Sequence, residues 1–432
     1  MRLTTLVLTG ALAMLSWPVL AQVAPLPTTQ SSPALQTLSL ADALRLAEEA
    51  HPALRAKQAQ LAAAEGARAD ASGLLFNNPQ LSVDRTRRDV PQPEQPTEKR
   101  REWSTGISQT LEIAGQHGYR RAAAESGLVA LRAEIEDVRR QVRVETAQQF
   151  YRVLTLQQRI AVEEQALTLF ESTAAAVQKR RLAGEDTKLD ANVAAVEAER
   201  ARNQLAQANE QLLDARSELS AKLQLSPERL PQASGDVADL SAPVPYTLEA
   251  LLALVDARPR LQALAAREDS ARAKLRLEQA SRYPDVTVGV NVGREGPGSA
   301  RERVTTVSIS VPLPLFKRNA SGIGQARSEL DQAEIERSAA VRDAYTQVRI
   351  LWAKLDSLHA RLQRLQGTVL PALADNQQLS LKSQRAGQIG LLELIIVNRQ
   401  ALDARRDLLE ALAEYQTTRL ALELASGWPA KE

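Results

Sequence analysis

The chain has 432 residues, no cysteine and two methionines, which excludes disulfides, thiolate metal centres and a lipid-bearing N-terminal cysteine. Lysines and arginines number 54 against 52 acidic residues, a formal charge of +2 that is too balanced for a nucleic-acid partner. Aromatics are only 3%, and the abundance of Ala, Leu, Arg, Glu and Gln is the composition of long helices.

Met1-Arg2, the apolar run from Leu3 to Leu15 and the small-residue site Val19-Leu20-Ala21 read as a secretory leader, so residues 1–21 are assigned as a signal peptide cleaved before Gln22. That run falls short of the roughly 20 residues a spanning helix needs. No later hydrophobic segment reaches that length either, so any membrane insertion must be made by strands. Residues 22–37, with Pro25, Pro27 and Pro33, form an extended arm.

A first helix is expected over Leu40 to Ser72, interrupted at His51-Pro52. The period then changes to two. Leu81 and Val83 alternate with Gln80, Ser82 and Asp84, and Trp103, Thr105, Ile107, Gln109, Leu111 and Ile113 alternate with Ser104, Gly106, Ser108, Thr110 and Glu112. Thr86 to Glu102 carries Pro91, Pro93, Pro96 and many charges, and is placed in water as a loop. Helical periodicity returns from Gly115 to about Arg181. Its seam runs through Leu128, Leu131, Ile135, Val138 and Val142, slips near Thr146, and resumes with Phe150, Val153, Leu156, Ile160, Leu167, Phe170, Ala174 and Val177. Ala183-Gly184-Glu185-Asp186 is a turn, and a further helix covers Leu189 to Leu225. Residues 226–245, with Pro227, Pro231, Pro243, Pro245 and Gly235, read as a linker.

The chain then starts again. Leu248 to Leu261 with Arg258-Pro259 echoes Leu40 to Leu54 with His51-Pro52, Tyr283-Pro284-Asp285-Val286 echoes Asn78-Pro79-Gln80-Leu81, and Arg385-Ala386-Gly387 echoes Leu182-Ala183-Gly184. Residues 38–225 and 246–428 are therefore read as tandem halves. In the second half Val286, Val288, Val290 and Val292 form one apolar face, and Val307, Ile309, Val311, Leu313 and Leu315 form the next. From Ser321 to Arg385 a long helix is expected, with a seam at Val341, Ala344, Val348, Leu351, Leu355, Leu358, Leu362, Leu365 and Val369 and a bend or local break at Pro371. Four alternating strands cannot close a membrane barrel, which needs about eight, and an open edge is not tolerated in hydrocarbon. Other copies of the chain must complete them; the alternative is a small sheet packed on the helices in water.

The order of these elements, the paired strands followed by long helices and the Ala-Gly turn in each half resemble the TolC-like outer-membrane efflux channels of Gram-negative bacteria. Pro312-Leu313-Pro314-Leu315-Phe316-Lys317-Arg318-Asn319 and the segment from Arg385 through Gly387, Gly390 and Glu393 to Asn398 look most like the cobalt-zinc-cadmium branch. The resemblance implies a mainly α fold with a small β part, in a homotrimer with a twelve-stranded barrel in outer-membrane lipid and a helical tunnel in the periplasm. It implies an exit duct for heavy-metal cations, served by a periplasmic adaptor and an inner-membrane pump of the resistance-nodulation-division type. A drug or solvent duct, or a periplasmic scaffold or adaptor without a pore, are the alternatives. No biotinyl-lipoyl-like module, which an adaptor would carry, is found.

By the same resemblance, Ala183, Gly184, Ala386 and Gly387 mark the periplasmic tips that meet the adaptor, and Asp190 and Glu393 occupy the constriction, where rings of carboxylates would favour cations. Ile396 stands where some relatives have a second acid. The other reading of Asp190 and Glu393 is that of solvated carboxylates at helix starts. His51, His117 and His359 are scattered, so no metal site is expected. Gly322-Ile323-Gly324 lacks a third glycine, with Arg327 in its place, and reads as a flexible lead into the helix rather than a phosphate loop. No catalytic constellation is present, so neither enzyme activity nor a cofactor is expected.

Overall fold

The computed structural model describes residues 37–226, 228, 230–236, 241–296 and 300–428. The expected leader, 1–21, and all of the arm 22–37 except Thr37 lie outside them. The chain opens on a short strand, β1 (Thr37–Leu38), then α1 (Leu40–Ala50) and α2 (Pro52–Ser72). Ser39 caps α1 by accepting from the Asp42 N–H at 3.2 Å, and Pro52 is tolerated because it stands in the first turn of α2. Two strands follow, β2 (Gln80–Gln92) and β3 (Gln95–Leu111), then α3 (Gln116–Leu182) and α4 (Lys188–Leu223). At about 1.5 Å per residue the 67 residues of α3 measure about 100 Å.

After β4 (Gln232–Ala233) the same order recurs: α5 (Leu248–Leu254), α6 (Pro259–Ala280), β5 (Val286–Glu295), β6 (Glu302–Ser310), α7 (Ala320–Arg364), α8 (Leu370–Arg385) and α9 (Leu391–Ser426). Between α7 and α8 the helix is not broken. Leu365–Val369 forms one π turn, in which the Leu370 N–H bonds the Leu365 carbonyl. The widened turn makes room for the Pro371 ring, which in a regular helix would meet the carbonyl four residues back. The local irregularity expected at Pro371 is this π turn, which lies just before it.

The core is distributed along the helices. Near the sheet, Ala271 and Leu275 of α6 meet Ala326, Leu330 and Ala333 of α7. In the middle, Phe150, Val153 and Leu154 of α3 join Leu219, Leu251, Val348, Leu355, Leu362 and Tyr415. Farthest from the sheet, Phe170 and Val177 of α3 pack with Ala194, Ala198, Leu391, Ile395 and Leu402. The seam slip falls where α3 is buried on more than one face, at Thr146, Ala147, Gln149 and Phe150, since helices surround it there. On α7 every seam residue from Val341 to Leu365 is buried or half-buried, whereas Val369 at its end is exposed.

Between the halves, Gln232 and Ala233 are anchored to the rest of the fold. Thr37 and Leu38 pair in parallel with Gln232 and Ala233. The Gln157 side-chain amide of α3 then clamps Ala233, donating to its carbonyl at 3.0 Å and accepting from its N–H at 2.9 Å. Gly322 does not lie in a flexible lead. It is helical, and a Cβ there would meet the movable ends of the Glu278 and Asn319 side chains. Asn319, ahead of α7, sits at φ 53 and donates to the Glu278 carbonyl at 2.9 Å.

β2, β3, β5 and β6 form one antiparallel sheet in that order. The expected loop from Thr86 to Glu102 is mostly strand: β2 and β3 stay paired past Arg87 and Arg101 to Gln92 and Gln95, with the turn made at Pro93-Glu94. β6, in contrast, stops at Ser310, short of Val311, Leu313 and Leu315, because Pro312 and Pro314 have no N–H to offer a ladder. The register places Leu81, Ile107, Val290 and Val307 in one row across all four strands. These four side chains are 42 to 73% exposed. The opposite face carries Ser82, Gly106, Asn291 and Thr306 in the adjacent row, so one face is apolar and the other small and polar. Among the described residues, β2 and β6 have no strand on their outer edges.

Candidate functional site

The turns that end α3 and α8 are built alike. The N–H groups of Ala183, Gly184 and Glu185 donate to the carbonyls of Lys179, Arg181 and Arg180 at 3.1, 3.1 and 2.9 Å; those of Ala386, Gly387 and Gln388 donate to Lys382, Gln384 and Ser383 at 3.1, 3.0 and 2.9 Å. This is the Schellman closure, which needs a left-handed residue after the helix. Gly184 and Gly387 supply it at φ 83 and 70. Nothing lies within 4 Å of a Cβ built at either, so the demand for glycine is conformational and not spatial. Arg180 braces the first turn through Asp186 at 2.8 Å.

Asp190 and Glu393 stand three residues after the caps of α4 and α9. The Thr187 hydroxyl accepts from the Asp190 N–H at 3.1 Å, and the Asp190 carboxylate accepts from the Thr187 N–H at 3.1 Å and its hydroxyl at 2.6 Å. This reciprocal capping box holds the Asp190 carboxyl below the usual carboxylate range, chiefly through the Thr187 hydroxyl. Gly390 has no side chain, so the second box keeps one arm: its N–H donates to Glu393 at 2.6 Å. Both carboxylates therefore stand in the first turn of a helix. The first turns of α4 and α9 contribute to one core, Ala194, Leu391 and Ile395 buried in it and Ala191 packed at its margin, but among the described residues no hydrogen bond or ion pair joins the two carboxylates.

Sequence reasoning missed two features here. Leu182 and Leu189 flank the first turn at 74% and 71% exposure, and Leu392 and Ile396 follow the second at 62% and 45%, so the ends offer apolar surface as well as charge. The signal was legible as leucines falling off the heptad seam. The other is a buried ion cluster between the hairpins. Glu163 of α3, fully buried, receives Arg406 of α9 at 2.9 and 2.5 Å and Arg159 of its own helix, while Arg406 also donates to Gln204 of α4 at 2.5 Å. Burial alone would raise the Glu163 carboxyl, yet the hydrogen bonds from Arg406 and Arg159 outweigh it and hold the group below its ordinary value.

The histidines have structural partners. His51 caps α2 by accepting from the Ala53 N–H at 3.3 Å, His117 lies 2.8 Å from the Gly73 carbonyl, and His359 lies 3.0 Å from the Gln363 amide. Among the described residues no three His, Asp or Glu side chains gather as a metal site, and no helix is long and apolar enough to cross a membrane.

Comparison with known proteins gives concordant matches. The family described as outer membrane efflux protein matches residues 43–223 and again 252–428. The chain is 27% identical over 335 residues to the cobalt-zinc-cadmium resistance protein CzcC of Cupriavidus metallidurans, covering 76% of this chain and 77% of that one. Among solved structures it superimposes on CusC with a TM-score of 0.73 at 18% identity, covering 90% of this chain and 92% of the other. The outer membrane protein VceC of Vibrio cholerae gives 0.72 at 18%, covering 90% and 96%, and a membrane protein of Pseudomonas aeruginosa gives 0.76 at 18%, covering 90% and 93%.

Proposed function

As the chain belongs to the outer membrane efflux protein family, we propose that it is the exit duct of an efflux assembly, a passive conduit with no enzymatic step of its own. The observation that carries this is the sheet: apolar on one face, small and polar on the other, with both edges unpaired among the described residues. In hydrocarbon the open edges of β2 and β6 require partners. A homotrimer supplies them, giving twelve strands, lipid outside and water inside. The long helices of three copies then form the periplasmic tunnel. Its far end is made by the turns at Ala183-Gly184 and Ala386-Gly387, which meet the adaptor, while an inner-membrane pump of the resistance-nodulation-division type supplies the energy.

Three Asp190 and three Glu393 carboxylates ring the constriction and favour cations. The cargo is a heavy-metal cation such as cobalt, zinc or cadmium. CzcC, named for resistance to these metals, and the Pro312 to Asn319 and Arg385 to Asn398 segments support that choice. In this reading the metal is transported and not held, in keeping with the structural partners of the histidines. Co-expression with a matching adaptor and pump in a host lacking its own duct tests the cargo. Restored tolerance to cobalt, zinc or cadmium is expected; restored tolerance to organic compounds alone would contradict it.

A further inference from the structure

The register of the sheet collects arginines into a row. Arg85 of β2 pairs with Trp103 of β3, Trp103 with Arg294 of β5, and Arg294 with Arg303 of β6, so one line across the sheet reads Arg, Trp, Arg, Arg. All four are exposed, and they lie on the face that carries Leu81, Ile107, Val290 and Val307. Along β3, the distance from the Leu111 row, opposite Val286, to the Trp103 row is about 26 Å at about 3.3 Å per residue. The apolar band of a membrane barrel is about 25 Å tall. With barrel strands tilted by about 40° that length is about 20 Å of height, so the arginine line lies within about 5 Å of one border of the band, with Trp103 as its interfacial aromatic. Arg87 and Arg101, paired with each other, lie one step beyond. The border is the one near the hairpin turns, away from the helices. At the opposite border the Leu111 and Val286 row carries no charge.

Arg85, Arg101, Arg294 and Arg303 make no ion pair or hydrogen bond among the described residues. Only Arg87 is engaged, with Asp89 at 3.7 Å. Three exposed guanidinium groups on one register line of the apolar face, with no ion pair among the described residues, are matched by phosphates at the border of a bilayer. We propose that this row binds the phosphate groups of anionic lipid headgroups in the outer leaflet, fixing the depth of the barrel and holding a shell of phosphorylated lipid around it. The inference rests on the membrane reading above, and a separate arm of the test addresses that reading.

Detergent-extracted protein and the variant Arg85→Gln/Arg294→Gln/Arg303→Gln would be exchanged with bisphosphorylated lipid A, with its dephosphorylated form, or with phosphatidylethanolamine, and lipid retention read by native mass spectrometry. Flotation with vesicles of phosphatidylethanolamine and channel conductance would be measured for both proteins alongside. The wild type is expected to retain bisphosphorylated lipid A over both other lipids, and the variant to float and conduct as before while retaining it at least about tenfold less. A variant that inserts, conducts and keeps the lipid overturns the inference alone, as does a wild type that retains the dephosphorylated form equally. A wild type that neither floats nor conducts overturns the membrane reading and the inference with it.

Discussion

Glu163 shows how much one side chain contributes here. Fully buried between hairpins and 243 residues from Arg406 in sequence, it ties α3 to α9 and, through Gln204, to α4. Removing one partner leaves the other charged and buried, so Glu163→Ala is expected to cost about 3 kcal/mol, measured as chemical unfolding of the detergent-extracted protein. Because folding lowers the Glu163 carboxyl, its contribution is complete above the ordinary glutamate value of 4.5 and is lost as pH falls through the depressed one. The wild-type advantage over Glu163→Gln should accordingly shrink on acidification in that window; a difference that stays constant would contradict the assignment. At the turns, Gly387→Ala forces a Cβ into left-handed backbone and should lower stability by about 1 kcal/mol, with Gly387→Asn costing less. Asp190 and Glu393 carry two roles, a visible one as caps and a proposed one as a cation filter. The double substitution to Ala separates them: altered cation preference in single channels is expected, while unchanged selectivity would leave only the caps.

Helices make the case differently, because their faces can be tested against each other. Leu355 lies on the α7 seam in the middle core at 3% exposure, and Leu355→Ala should cost about 3 kcal/mol. Val369, the last residue of the same seam, is exposed within the π turn, and Val369→Ala should change stability by less than about 0.5 kcal/mol. Equal effects at the two sites would show that the seam continues through the π turn. These helices were legible in the sequence because a heptad seam sustained over tens of residues has no rival interpretation, and α3 and its closing turn fall within a residue or two of expectation. The strands were legible only where apolar and polar residues alternate between the two faces. Past Arg85 both faces carry charge, contrast vanishes, and Thr86 to Glu102 reads as a loop although the ladder persists. The π turn was hidden for a different reason: Pro371 announces a disruption but not the conformation that absorbs it. Gly184 and Gly387 could be picked from sequence since a glycine after a helical run has a local cause. The Glu163 and Arg406 pair could not, since only the packing of separate hairpins brings them together.

Taken together, the chain is an incomplete object in one particular respect. Its helices have buried cores along their length, but among the described residues its sheet ends in two unpaired edges and exposes an apolar face. Both deficits would be removed by the same proposed change, closure of twelve strands from three copies in a bilayer. In that proposed assembly the hairpins beyond the apolar band and the arginine line near its border would lie outside the cell, and the Gly184 and Gly387 turns at the far periplasmic end. The most direct test is planar-bilayer conductance of the purified, detergent-extracted protein, with its oligomeric mass determined on the same sample. A trimer that opens cation-preferring channels is the predicted result. A water-soluble monomer that passes no current would contradict the duct and return the four strands to an ordinary sheet.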